Sequence, residues 1–90
     1  MTSHIAEIVY MLNGRDAGKY FIAVSEGNLL CVCNGKNRKV TSPKPKNPKH
    51  LRFTGVRDEE LLKKLSDGLG ITNKEVRKAI RRYQEDIQEL

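Results

Sequence analysis

Turn signals at Asn13-Gly14, Asp16-Ala17-Gly18, Gly27-Asn28 and Asn34-Gly35 cut the first half of this 90-residue chain into apolar runs too short for helices. The runs between them, Ile5–Leu12, Tyr20–Val24 and Leu29–Cys33, are rich in β-branched and aromatic residues and read as strands. Ser25–Asn28 predicts a tight hairpin with Gly27 at positive φ. Asn34-Gly35 is the strongest short hairpin signal and predicts a further strand at Arg38–Thr41. All three prolines fall between Ser42 and Lys49, which predicts an extended, exposed connection rather than a central strand. Leu51–Thr54 completes the series. Four or five strands this short are too few for a sandwich, and closing them into a small barrel removes exposed edges.

At Asp58 the pattern changes. Asp58 is a helix cap, with Glu59 and Glu60 placed to oppose the positive end of the helix dipole. Leu61, Leu62, Leu65 and Leu69 recur at helical spacing, and Gly68 or Gly70 stops the run. Thr72-Asn73-Lys74-Glu75 is a capping box that starts a second helix. Val76, Ile80, Tyr83, Ile87 and Leu90 then form one apolar stripe. Two amphipathic helices packed on the barrel bury both stripes most simply. The expected organisation is one small, mainly β domain with α: a barrel over residues 1–56 and a helical extension of the same domain over 57–90. This length excludes a two-lobed catalytic cleft and a doubly wound nucleotide fold.

Charge is distributed unevenly. Residues 14–57 carry ten basic groups against Asp16 and Glu26 alone, whereas residues 58–90 are nearly balanced. Positions 36–52 hold seven basic residues and no acid. So much like charge in a small domain costs self-repulsion, and its confinement to several neighbouring turns favours a phosphate-binding surface over a merely solvated loop. On the second helix, Arg81 with Glu85 and Arg82 with Asp86 have the spacing for ion pairs, and Lys74, Arg77 and Lys78 fit a solvated polar face, with a secondary contact to nucleic acid as the alternative.

The remaining chemistry is sparse. Cys31 and Cys33 are too close for a useful disulfide, and His4 and His50 are too distant in sequence to complete a zinc site, so buried thiols in a reducing cytoplasm are expected. No apolar run approaches the length of a membrane helix, and residues 1–6 carry no secretory pattern. No nucleophile–base–acid set, paired acids or phosphate loop opening a helix is present, so neither catalysis nor a cofactor is expected. Residues 60–77 superficially resemble a helix-turn-helix, but that DNA reader is normally built on three or more helices.

The segment Ile8–Val24, followed by Leu30–Gly35, resembles a KOW motif: a strand, a glycine-containing turn with a following basic residue, and a second strand. Lys44-Pro45-Lys46-Asn47-Pro48-Lys49-His50-Leu51 is similar to the basic segment after that motif in large-subunit ribosomal proteins of archaea and eukaryotes. The chain looks closest to short stand-alone KOW-domain RNA-binding proteins of bacteria, over residues 4–55. Ala17 departs from the pattern, since many KOW motifs carry a basic residue before this glycine. The resemblance implies an SH3-like barrel without enzymatic activity that binds RNA, ribosomal RNA in particular, or ribosomal proteins.

The candidate RNA-binding residues are Arg15 and Lys19 on the first turn, Lys36, Arg38 and Lys39 after Asn34-Gly35, and Lys44, Lys46, Lys49, His50 and Arg52 on the proline-stiffened segment. Such groups supply affinity for phosphates rather than choice of sequence. Tyr20, Phe21 and Phe53 are expected in the core, and the turn asparagines are expected to serve their own turns. A protein-binding module for ribosomal or transcription-machinery proteins is the alternative that the same surface allows.

Overall fold

The computed structural model describes residues 3–88. Five strands, β1 (Glu7–Met11), β2 (Tyr20–Glu26), β3 (Leu30–Cys33), β4 (Lys44–Lys46) and β5 (Leu51–Arg57), form one antiparallel sheet in the order β4-β3-β2-β1-β5. A single 3-10 turn, Pro48–His50, separates β4 from β5. Two helices follow, α1 (Glu59–Ser66) and α2 (Asn73–Gln88).

In the sheet and its turns, three expectations are not met. The sheet is not closed, because β4 and β5 are its two edges and do not pair with each other. Arg38–Thr41 is not a strand; the fourth strand lies within the proline segment at Lys44–Lys46. An edge position resolves the conflict, since Pro45 lacks a donor but an outer strand needs only one ladder. Gly27 does not take positive φ, whereas Gly14, Gly18 and Gly35 do.

The central strands are buried on both faces, which explains why β1 reads Ile-Val-Tyr-Met with little alternation. Val9, Met11, Phe21, Ala23, Leu30, Val32 and Leu51 form one cluster on its inner face. Leu30 on β3 and Leu51 on β5 join this cluster although β2 and β1 lie between their strands, so the sheet curls over its own core. Irregular registers between Glu7 and Val9 and between Ala23 and Ser25 mark where two strands bend. Ile8, Ile22 and Cys33 point to the opposite face and pack with Leu61, Val76, Ala79 and Ile80 from the helices. Each fully buried aliphatic side chain contributes about 1.5–3 kcal/mol, and for so small a domain both faces are needed. Cys31 and Cys33 are free thiols, and burial pushes the Cys33 thiol up to about 11.

Both helix starts follow the sequence. Asp58 caps α1 by accepting from the Leu61 amide at 3.0 Å. Thr72 and Glu75 form the capping box reciprocally, at 3.0 and 3.1 Å. Lys64 of α1 pairs with Glu75 of α2, and this contact first, then the Thr72 backbone, holds the Glu75 carboxyl below its usual range. The expected ion pairs of Arg81 with Glu85 and of Arg82 with Asp86 do not form; Arg82 instead reaches Asp58 at 3.8 Å. The stripe along α2 holds through Val76, Ile80 and Tyr83, Ile87 is 38% exposed, and Leu90 lies outside the described residues.

Gly35 sets how closely α2 docks. Its φ is +74°, and a Cβ there would stand 2.5 Å from the Asn73 carbonyl oxygen, a backbone atom that cannot swing aside. Gly35→Ala should therefore destabilise the domain by about 2 kcal/mol or more in urea unfolding. Gly68→Ala is the control, because Gly68 shares the positive φ but has open space around it. It should lose only about 1 kcal/mol, and equal losses would refute the close docking.

Candidate nucleic-acid interface

The β1–β2 turn gathers the other basic segments around it. Lys46, projecting from edge strand β4, brings its ammonium to 3.6 Å from where a side chain on Gly14 would begin. His50 ends the 3-10 turn with its carbonyl accepting from the Leu12 amide at 3.1 Å. Asn13 Nδ2 donates to His50 Nδ1 across 2.7 Å, which leaves the outer ring nitrogen free to act as a donor. Lys46 and His50, distant in sequence from the turn, are thus set against it.

A buried carboxylate joins the second basic turn to the first. Asp16 is only 6% exposed and accepts from Asn37 Nδ2 at 3.1 Å. Asn37 in turn accepts from Asn34 Nδ2 at 2.7 Å, while Asn34 Oδ1 accepts the amides of Lys36 and Arg38, both at 3.0 Å. Asn34 therefore serves its own turn, as expected, whereas the Asn37 and Asn13 side chains reach across to Asp16 and His50 in other segments. Lys19 lies 3.6 Å from Asp16 but is largely exposed, so that pair contributes little.

The remaining candidates divide into two groups. Arg15, Lys39 and Lys49 are exposed, and Lys44 is half-buried on β4; none has an ion-pair partner among the described residues. Arg38 is half-buried, with a buried Nε that lacks a hydrogen-bond partner. Arg52 faces the helix side of the sheet, its guanidinium carbon 4.4 Å from the centre of the Tyr10 ring. Phe21 is fully buried, whereas Tyr20 and Phe53 are half-buried, Phe53 stacked on His4 at 4.1 Å.

Two parts of this surface go beyond the sequence reading, which gave the helix cations only as a secondary contact. Arg77 and Arg81 of α2 face the same groove as Lys19 and Lys36, so the helix extends the cationic side. Arg77 also donates to the Gly35 carbonyl at 2.6 Å, fixing the turn to the helix. Their spacing could have shown this, because Arg77, Arg81 and Gln84 each follow a residue of the apolar stripe and share one helix face. The second part is a row of aromatic rings: Tyr10 meets Tyr20 at 5.0 Å, and Tyr20 meets Tyr83 at 5.2 Å. Burial, chiefly, pushes the Tyr83 hydroxyl above its usual range.

A second cleft differs in sign. The cleft between the end of β5 and the helices is lined by Asp58, Glu59, Glu60 and Asp86 against Arg57 and Arg82. Among the described residues no three His, Cys, Asp or Glu side chains cluster as a metal site, and no helix is long and apolar enough to cross a membrane. Compared with known proteins, the chain matches no family model and no curated sequence.

Asp16 is accordingly a positioning residue for the two turns. Asp16→Ala should cost about 1–2 kcal/mol in urea unfolding, because it removes the acceptor that Asn37 uses. Lys19→Ala should stay within about 0.5 kcal/mol. The reverse order would show that the ion pair, rather than the buried network, holds the turns together.

Proposed function

We propose that this protein is a non-catalytic RNA-binding protein that grips structured RNA through its backbone phosphates, as a ribosomal or ribosome-associated component. The observation that carries this reading is the placing of separate basic segments around the β1–β2 turn, with Lys46 at Gly14, His50 on Asn13 and the Lys36 turn tied to Asp16. Phosphate contacts of this kind position an RNA without reading its sequence. Glycine at positions 14 and 18 lets backbone amides approach a phosphate closely. Proline at positions 43, 45 and 48 lowers the ordering cost of the lysines between them.

The family reading is part of the same proposal. The strand order β4-β3-β2-β1-β5, with a 3-10 turn before the last strand and a sheet curled over its own core, supports an SH3-like barrel of the KOW type. A cytoplasmic location accords with two unpaired cysteines. Attachment to an acidic ribosomal or transcription protein is the competing outcome.

Filter binding of ribosomal RNA fragments tests the mechanism. With about five phosphates engaged, the log–log salt slope should be roughly −3.5 to −4.5, a loss on the order of 100-fold between 50 and 200 mM salt. Reversing Lys44, Lys46 and Lys49 to Glu should abolish binding while circular dichroism shows the fold intact. A slope near zero, or RNA binding that survives the triple reversal, contradicts the proposal. Retention of purified acidic ribosomal proteins but not RNA would favour the competing outcome.

A further inference from the structure

The groove beside α2 offers more than a phosphate contact requires. Lys19 and Lys36 approach it from the turns and Arg77 and Arg81 from the helix, and none of the described acidic residues lines it. Tyr20 and Gln84 complete its wall. Its volume is about 350 Å³, within the roughly 300–1,000 Å³ of small-ligand sites.

The polar groups of the groove differ in how far they are already engaged. Asn34 and Asn37 are occupied by the turn network, and Arg77 directs one N–H to Gly35. Arg81 and Gln84 are exposed and have no hydrogen-bond or ion-pair partner among the described residues. Arg81 stays free even though Glu85 lies one helical turn away. Tyr20 makes edge contacts with both Tyr10 and Tyr83, and Arg52 over Tyr10 extends the row. The groove therefore presents a positioned aromatic ring, a free guanidinium and a free carboxamide within one cationic cleft.

We infer that this groove receives one unpaired nucleotide of the bound RNA, with its phosphates on Arg81 and Lys36, its base against Tyr20 and its base edge hydrogen-bonded by Gln84. This inference rests on the RNA-binding reading above. A duplex backbone needs only the cations, and its bases are stacked out of reach. An aromatic face beside a free amide is what proteins use to hold an unstacked base. The consequence is a preference for unpaired over paired RNA, added to the shape-based affinity of the turns.

Fluorescence anisotropy at fixed salt, with the full chain, tests this on two RNAs of equal phosphate number: a hairpin with an unpaired loop and a blunt, fully paired duplex. The wild-type protein should prefer the hairpin about tenfold, equivalent to 1.4 kcal/mol. In Gln84→Ala and in Arg81→Gln, both at exposed helix positions that the fold tolerates, the hairpin-to-duplex ratio should fall toward one. Arg81→Gln should also reduce the magnitude of the hairpin salt slope by about one. Equal wild-type affinity for the two RNAs, or an unchanged ratio in both variants, overturns the groove assignment while leaving phosphate binding in place. Failure of the wild-type protein to bind either RNA overturns the RNA-binding reading and this inference with it.

Discussion

The close approach of α2 to the Asn34-Gly35 turn is the contact on which the rest of the arrangement depends. Gly35 has no Cβ, so the first turn of the helix comes down on it until the Asn73 carbonyl fills the space a side chain would take. Asn73 Oδ1 accepts the Val40 amide at 2.9 Å, and Arg77 donates to the Gly35 carbonyl from the next turn. From the other side, Asn34 and Asn37 fasten the same loop to Asp16 in the β1–β2 turn. Sheet, helix and both basic turns therefore meet at one short loop. Loosening it would move cations relative to one another as well as weaken the core.

The electrostatic pattern follows from that geometry. Lys46 is drawn to the β1–β2 turn because β4 is an edge strand that leads through one 3-10 turn into β5. His50, at the end of that turn, is locked onto Asn13. The helix adds Arg77 and Arg81, while acids concentrate at the start of α1 and near Asp86. Like charges held this close are costly in the unbound protein, and a polyanion would relieve that cost. The proposed RNA role is the use of this asymmetry that demands least of the fold, since it calls for no further structure.

Much of the fold could be read from the residues. The Asn13–Gly18 turn, the Asp58 cap and the Thr72–Glu75 capping box are local signals whose physics needs no tertiary context, and their elements form where expected. Arg38–Thr41 misled because hairpin chemistry at Asn34-Gly35 is a short-range preference. In the structure the Asn34 side chain accepts the Lys36 and Arg38 amides and Asn73 takes that of Val40, so these three donors are met without a ladder. The fourth strand was obscured by Pro45, whose missing donor matters little on an edge. For the candidate site, lysine density singled out the turns and the strap as candidates. It could not place Arg77, Arg81 and Gln84 beside them, because that depends on which way α2 rolls over the sheet, a matter of packing around Val76 and Ile80. The row from Arg52 through Tyr10 and Tyr20 to Tyr83 was likewise invisible, since it joins three strands and a helix through register.

Mapping the amide resonances of the labelled protein during titration with a structured ribosomal RNA fragment tests the central claim most directly. The account predicts that the perturbed amides cluster at residues 13–19, 34–39 and 44–52, with a second set at 77–84, while those around Glu59, Glu60 and Asp86 stay unmoved. Perturbations centred on the acid-rich cleft between β5 and the helices, or spread evenly over the molecule, would contradict it.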